Sequence, residues 1–250
     1  MADFGFRRQP QRLWLRRIDR RDRPLIQNTR RLIAKTIGKP WDTYALQLLN
    51  LEHADALPWT SSAPRPGLLC CLINDIRVNR RRTIVEFGSG VSSVAIASAL
   101  DPKTQRLISF EHDEDWANYV SGQLGRLDLA DRCQVVHAPL QHCELSIDAS
   151  PWYDVDIVRD SLESLEVDVV ICDGPPAYSR DTRMARYPAM PALQSMLANT
   201  YSVYLDDIDR SSERKIARLW SDLLQIPFSY QLLRGSFAVG VKGAHYNSLI

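Results

Sequence analysis

The chain has neither the long apolar run of a membrane-spanning protein nor the cysteine pattern of a disulfide-rich or zinc-bound one. None of the apolar runs among its 250 residues reaches the roughly 18–20 residues that a membrane-spanning helix needs. Its cysteines number five, an odd count, and they lack the C-x-x-C spacing of a zinc site. We therefore expect buried, reduced thiols in a cytoplasmic globular protein without a membrane span.

Acidic charge is scarce in the first forty residues. Residues 1–40 hold twelve Lys or Arg against three Asp, although the whole chain has a net charge of only +1. Such a leader could be a helical extension that packs on its own domain, a targeting peptide or an arm that binds a polyanion. We favour the first of these, and predict a basic, mainly helical extension over residues 1–56 and a single larger domain over residues 57–250.

Strand-like apolar runs alternate with helical stretches after residue 80, which indicates βαβ units and a mostly parallel sheet with helices on both faces. The last part of the chain breaks this alternation, because two strand-like runs meet at Gly235-Ser236 with no helix between them. We predict an α/β, Rossmann-like three-layer sandwich with a seven-stranded sheet that ends in an antiparallel hairpin. The predicted strands are residues 83–87, 106–113, 133–140, 167–173, 201–207, 228–235 and 236–243. A helix is expected over residues 191–199.

A glycine loop follows the first predicted strand. Gly88 and Gly90 allow close approach of the backbone to a ligand, and Ser92 and Ser93 bring hydroxyls near the free N–H groups of the next helix. The dinucleotide fingerprint requires a glycine where Ser93 stands, and Glu86 would bring negative charge towards a pyrophosphate. A ligand that carries an ammonium and a sulfonium suits this carboxylate better.

The second strand also ends on an acidic residue. Glu111 follows Glu86 by 25 residues, and its carboxylate can accept hydrogen bonds from both hydroxyls of a ribose. In a parallel sheet, ligands bind outside the carboxyl ends of the strands. The two acids and the glycine loop therefore predict a nucleoside-binding site at this edge.

These segments together resemble the class I S-adenosylmethionine-dependent methyltransferases, and more narrowly the small bacterial members with EFGSG, FEHD and DGPP motifs. The resemblance covers about residues 57–242 and rests on IVEFGSGVSSVAIA, LISFEHDEDW, VVHAPL, VVICDGPP and YLDDIDR. It implies that residues 57–250 form the methyltransferase domain and that S-adenosylmethionine is the cofactor. The implied contacts are Glu86, Gly88, Ser89 and Gly90 for the methionine part, Glu111 and His112 for the ribose, and Ala138 with His137 or Pro139 for the adenine. Ser92 and Ser93, at the start of the next helix, are also assigned to the cofactor site.

A carboxylate, Asp173, ends the fourth strand beside the first one and faces the expected position of the methyl group. A hydroxyl acceptor must lose a proton during methyl transfer, and a carboxylate can take it. Asp173 could be this general base, a ligand of the cofactor amine or an organiser of the turn at residues 174–176. We assign it to the catalytic group and also to the cofactor site.

Two further carboxylates, Asp206 and Asp207, close the fifth strand next to Asp173. The three acids resemble the ligand set of the magnesium-dependent catechol-type O-methyltransferases, and oxygen ligands suit Mg²⁺ or Mn²⁺. The alternative is a polar turn that caps the next helix and pairs with Arg210. We favour the turn and assign no metal ligand, with a divalent metal kept as the alternative.

Two segments near these acids have more than one interpretation. The arginines that follow Asp173 could clamp an anionic acceptor, or they could be solvated surface residues. These are Arg180, Arg183 and Arg186. The stretch SPWYD at residues 150–154 is interpreted as core packing rather than as a stacking surface for adenine.

We therefore predict an enzyme that moves the methyl group of S-adenosylmethionine to a hydroxyl of a small molecule or a glycan by in-line displacement. One alternative is a nucleic-acid-binding or regulatory protein on a retained methyltransferase fold, for which the basic leader is the argument. Another is an aminopropyltransferase-like enzyme, although the first loop lacks the G-G-G-x-G of that class. Nucleic acid is not the favoured partner.

Overall fold

The computed structural model describes residues 42–45, 47, 49, 60 and 62–246. The predicted basic extension lies almost entirely outside these residues. Of residues 1–56 only positions 42–45, 47 and 49 are described, and they are helical. The predicted boundary at residue 57 also lies outside the described part and stays a prediction.

One seven-stranded sheet forms the centre of the described part. Its strand order is β3-β2-β1-β6-β7-β9-β8, in which the first five strands are parallel and β9 runs antiparallel between β7 and β8. A separate two-stranded hairpin is formed by β4 and β5. The strands are β1 (Thr83–Phe87), β2 (Arg106–Glu111), β3 (Cys133–His137), β4 (Leu140–Gln141), β5 (Trp152–Tyr153), β6 (Val167–Cys172), β7 (Leu197–Leu205), β8 (Phe228–Gln231) and β9 (Phe237–Lys242). The predicted sheet and its C-terminal antiparallel hairpin are confirmed.

Helices cover both faces of the sheet. They are α1 (Pro66–Val78), α2 (Val91–Ala99), α3 (Glu114–Arg126), α4 (Val155–Ser161), α5 (Ala189–Leu193) and α6 (Ser211–Leu224), with a short 3₁₀ helix over Arg180–Thr182. Successive residues of a strand point to opposite faces, so Ile84 joins the core under α1, α2 and α3 while Val85 joins the core under α4, α5 and α6. All five residues of β1 are buried, as a strand covered on both faces requires. The predicted three-layer sandwich is therefore present. No described helix is both long enough and apolar enough to cross a bilayer.

Several element boundaries differ from the sequence-based predictions. The second strand ends at Glu111 because the side chain of Asp113 accepts a hydrogen bond from the backbone N–H of Trp116 and caps α3. The helix predicted over residues 191–199 is present only at its start, since α5 ends at Leu193, and its extension to residue 199 was wrong. The chain enters β7 at Leu197, which pairs with Val167 of β6, so pairing at the sheet overrides the local helical pattern.

Candidate active site

A cleft of about 630 Å³ opens at the carboxyl ends of β1, β2 and β6. Four carboxylates line it, and no Lys or Arg of the described residues does. The acids are Glu111, Asp113, Asp115 and Asp173. Four aromatic side chains form further parts of its wall, namely Trp116, Tyr119, Tyr153 and Tyr178. An acidic, partly aromatic cleft favours a cationic ligand.

The turns that follow β1 and β6 touch each other in the floor of the cleft. The backbone N–H groups of Asp173 and Gly174 both donate to the carbonyl of Phe87, at 3.0 and 2.6 Å. A Cβ added to Gly88, which has a φ of +96°, would lie 2.8 Å from the nitrogen of Gly174. Glycine at position 88 is thus required by the close approach of the second turn as well as by its own backbone conformation.

Glu86 lies behind the glycine turn and does not line the cleft. Its carboxylate is fully buried, and Oε2 accepts hydrogen bonds from the hydroxyls of Ser93 at 2.5 Å and Ser109 at 2.6 Å. Burial raises the pKa of Glu86 to about 7, although hydrogen bonds from these serines and Ser92 lower it. Ser93 also accepts a hydrogen bond from the backbone N–H of Gly90. Glu86 therefore organises the loop from below.

Ser109 was not among the predicted site residues. It stands between Ile108 and Phe110 in the apolar middle of its strand, and its backbone position pairs with Glu86 in the register of β1 and β2. A single hydroxyl inside a buried strand, opposite a buried carboxylate, is the signal that could have revealed it.

Glu111 lies in the cleft wall as an almost fully hydrogen-bonded carboxylate. Oε2 accepts from the backbone N–H and the hydroxyl of Ser89, at 3.0 and 3.2 Å. Oε1 accepts from the backbone N–H groups of His112 and Asp113 and lies 2.7 Å from Nδ1 of His112. Burial alone would raise the pKa of Glu111, but the hydrogen bonds from His112, Asp113 and Ser89 bring it below the ordinary value.

The saturation of Glu111 has a consequence for ligand binding. A carboxylate offers about four lone-pair sites, and here four N–H or O–H groups already donate to it while Nδ1 of His112 lies 2.7 Å away. A ribose would have to replace one of these donors. The imidazole of His112 is the donor best able to move, because its side chain is 31% exposed and the backbone donors are fixed.

The cleft brings together only part of the predicted cofactor set. Gly88, Glu111, His112 and Asp173 line it. The others do not: Glu86, Gly90, Ser92, Ser93 and Ala138 are buried, Ser89 bonds to Glu111, and Pro139 is half-buried. The backbone N–H of Ala138 donates to the carbonyl of Glu111 at 2.7 Å, which ties β3 to β2.

Tyr153 is a cleft residue that the sequence-based interpretation missed. Its ring packs against Phe87, with centroids 5.4 Å apart, and the neighbouring Trp152 is fully buried. The prediction that residues 150–154 pack in the core therefore describes both rings. The hydroxyl of Tyr153, however, is buried at the cleft without a hydrogen-bond partner among the described residues. Burial raises the pKa of this phenol, so it stays a proton donor. The sequence signal that could have revealed this cleft residue is a tyrosine at position 153, where a phenylalanine would pack equally well.

Asp173 belongs to a cluster of charges between the ends of β6 and β7. Its Oδ1 accepts from Nη2 of Arg186 at 3.1 Å, and the same nitrogen lies 3.0 Å from Oδ2 of Asp207. Arg210 pairs with Asp207 at 2.8 Å. Burial raises the pKa of Asp173 to about 6, with Arg186 opposing and Asp207 adding to the shift. Burial and the charge of Asp173 raise the pKa of Asp206 well above its ordinary value.

The three carboxylates considered as an alternative metal site therefore surround a guanidinium, which contacts the side chains of Asp173 and Asp207 and the backbone carbonyl of Asp206. Among the residues that the structure describes, no group of three His, Cys, Asp or Glu is arranged to hold a metal ion. The pairing of Asp207 with Arg210 agrees with one part of the polar-turn interpretation, but the acids do not cap α6, whose N-cap is Arg210 without a side-chain capping hydrogen bond. Of the arginines proposed as an anion clamp, Arg186 is buried in the cluster, while Arg180 and Arg183 are exposed and do not line the cleft.

A comparison with protein-family models identifies the family of this chain. Residues 85–208, which include the ends of β1, β2, β6 and β7, match the model of a methyltransferase domain. The chain is a class I S-adenosylmethionine-dependent methyltransferase. A comparison with curated protein sequences gives no match to the enzyme.

Solved structures share the fold of the enzyme at low sequence identity. A Staphylococcus aureus protein assigned as a caffeoyl-CoA O-methyltransferase is 14% identical, with a TM-score of 0.55 over 80% of this chain and 92% of that chain. The O-methyltransferase TomG from Streptomyces achromogenes, solved with S-adenosylmethionine, is 16% identical, with a TM-score of 0.52 over 80% and 90%. An O-methyltransferase from Bacillus cereus in complex with SAH is 15% identical, with a TM-score of 0.51 over 81% and 90%.

Proposed function

We propose that the enzyme methylates a hydroxyl group of a small-molecule or glycan acceptor and that Asp173 is the general base. The observation that carries this proposal is the asymmetry of the Asp173 carboxylate. Oδ1 is held by Arg186, whereas no described residue donates a hydrogen bond to Oδ2 at the cleft. A carboxylate with one fixed and one available oxygen suits a base that receives a proton from a bound hydroxyl.

The residues of the cleft fit a cationic nucleoside cofactor. S-adenosylmethionine, when bound, supplies an electrophilic methyl group on a positively charged sulfur. The lining acids suit that charge, Glu111 with a displaced His112 suits the ribose hydroxyls, and the unpartnered hydroxyl of Tyr153 suits a hydrogen-bond acceptor of the ligand. Glu86 is assigned a supporting role, since it acts on the loop through Ser93.

In the proposed step Asp173 accepts the proton of the acceptor hydroxyl as the acceptor oxygen gains the methyl group and sulfur retains the electron pair of the broken bond. Asp173 ends the step as a neutral carboxylic acid and then releases its proton to water. Because its pKa is about 6, the side chain is mainly a carboxylate at neutral pH and is ready to accept. The tightly bonded turns around Phe87 keep it in place, and such positioning supplies much of the acceleration.

The acceptor class rests on two lines of support. The related structures described above are O-methyltransferases by name, which favours a hydroxyl. Tyr178, 67% exposed, and the stacked pair of Trp116 and Tyr119, with centroids 5.1 Å apart, offer flat apolar walls for an aromatic or sugar ring. The nucleic-acid alternative rests on residues 1–40, which lie outside the described residues.

A transfer assay with labelled cofactor tests this function. We expect the full-length enzyme to label phenols, catechols or sugars, and Asp173→Asn to lose that activity while it still binds S-adenosylmethionine. A parallel set of amines serves as the comparison, because the nitrogen of a neutral amine attacks without prior loss of a proton. Labelling of amines alone, with full activity in Asp173→Asn, would reject both the acceptor class and the base.

A further inference from the structure

We propose that Arg186 is a positioning residue that provides a built-in cation between the strand ends of β6 and β7, at the place where their carboxylates would otherwise attract a divalent metal. The inference rests on the proposed function in one respect only, namely that Asp173 is the base. We call the presence of the Arg186 guanidinium, in place of a metal ion, between Asp173 and Asp207 the charge substitution. It can be measured without any acceptor.

The geometry of one nitrogen carries the proposal. Nη2 of Arg186 lies 3.1 Å from Oδ1 of Asp173 and 3.0 Å from Oδ2 of Asp207, so it bridges carboxylates from two neighbouring strand ends. Nη1 donates to the backbone carbonyl of Asp206 at 3.4 Å. These are the types of oxygen that a hard cation would bind. A metal at this place would have to displace the guanidinium.

Burial keeps the guanidinium in place. The Arg186 side chain is only 2% exposed, so it has no solvated position to which it can retreat without crossing the packed protein. The carboxylates around it are Asp173, Asp206, Asp207 and Glu213, and Arg210 is the other described cation of the cluster. Removal of one cation from such a set leaves buried negative charge uncompensated, which strongly favours uptake of another cation.

The same contact determines how the base is presented. Arg186 holds Oδ1 of Asp173, a residue that lines the cleft, and this contact fixes the orientation of the carboxylate. An uncharged side chain at position 186 would remove both the counter-charge and this orientation. Binding of the cofactor would change little, because Arg186 does not line the cleft.

Mn²⁺ binding to the full-length protein tests the charge substitution directly. Free Mn²⁺ is followed by electron paramagnetic resonance in titrations of the wild type, Arg186→Met and Arg183→Met, the last being an exposed arginine of the same segment. We expect binding in Arg186→Met only, and its loss again in Arg186→Met combined with Asp207→Asn. Wild-type binding displaced by Mg²⁺, or no binding in folded Arg186→Met, would overturn the proposal.

Turnover gives the second readout. Wild-type activity should be unchanged by EDTA, while Arg186→Met should lose roughly 10²-fold in kcat at nearly constant affinity for S-adenosylmethionine. Mn²⁺ should restore about ten-fold of that loss in Arg186→Met and nothing in Arg183→Met. Arg186→Lys, which retains the charge, should keep most of the turnover and bind no Mn²⁺.

These measurements separate the two ideas. If Arg186→Met gains Mn²⁺ binding but the wild type methylates no hydroxyl, the charge substitution stands and the proposed function fails. Should Arg186→Met not fold, Arg186→Lys and the wild type still decide: loss of wild-type activity in EDTA, or Mn²⁺ binding by Arg186→Lys, would overturn the proposal.

Discussion

Two aspartates, a partly exposed one in the cleft and a fully buried one outside it, differ in how completely their oxygens are bonded. Asp75 on α1 accepts from Asn79 and Arg81 at Oδ1 and from the hydroxyls of Ser202 and Tyr204 at Oδ2. Of the described side chains, Arg186 alone donates to Asp173, and it does so at Oδ1. The contrast indicates that a saturated buried carboxylate holds elements together, whereas one with spare acceptor capacity is kept for a ligand or a proton.

The largest expected effect is a loss of turnover when the cleft residue Asp173 is changed. Asp173→Asn should lower kcat by roughly 10²–10⁴-fold, because the amide keeps the shape but cannot accept the acceptor proton. Turnover is measured with labelled cofactor, and calorimetry should give an S-adenosylmethionine affinity close to that of the wild type. Retained turnover would reduce Asp173 to a structural residue like Asp75.

At Asp75 we expect a loss of stability and normal turnover. Asp75→Ala should lower the free energy of unfolding by about 3–5 kcal/mol, since Arg81 would remain buried without its counter-charge. Urea denaturation measures this, and the folded variant should turn over normally. Asp131→Ala, at a 63% exposed side chain, is the control and should change stability by less than about 0.5 kcal/mol. A stable Asp75→Ala would contradict the structural role.

Glu111 combines both properties, because it is saturated and also lines the cleft. Glu111→Ala should weaken S-adenosylmethionine binding by roughly 10–10²-fold through the loss of charge-assisted hydrogen bonds. Calorimetry gives the affinity, with Asp115→Ala as the control acid of the same cleft. Equal effects of the two variants would mean that general negative charge, rather than Glu111 itself, holds the cofactor.

A smaller effect is expected from two tyrosine hydroxyls. Tyr153→Phe should weaken cofactor binding by about 3–10-fold and slightly raise the melting temperature of the ligand-free enzyme, because the deleted hydroxyl is buried and unpartnered there. Tyr204→Phe is the matched control and should lower the melting temperature, since its hydroxyl donates to Asp75 at 3.0 Å. If both variants shift the melting temperature downwards, the Tyr153 hydroxyl has a structural partner.

The mildest test changes only pH. kcat/KM should rise as pH increases through about 6, because Asp173 must lose its proton before it can act as a base. The effect on stability has the opposite sign: the native state binds this proton more tightly than the unfolded chain. The contribution of Asp173 to stability is therefore fully present below pH 3.8 and is lost as pH rises through about 6. A kcat/KM that is flat from pH 5 to 8 would argue against Asp173 as the base.

The sequence by itself determined the architecture and the location of the cleft. Apolar periodicity predicts the alternation of strands and helices, and parallel strands must bring their carboxyl ends to one edge. For that reason Gly88, Glu111, His112 and Asp173 were predicted together and line one cleft. The helix expected over residues 191–199 ends at Leu193 instead, because pairing of Leu197 with β6 is a long-range interaction that the local pattern does not contain.

Only the tertiary structure decided what each polar group does in that cleft. Glu86 is a buried support rather than a cleft residue, Tyr153 brings an unpartnered hydroxyl to the floor, and Arg186 bridges Asp173 and Asp207. The physical reason is that hydrogen bonding and charge compensation depend on distances of a few ångströms between segments far apart in the chain. Residue type states what a side chain can donate or accept, and the packing of strands and turns determines with which partner it does so.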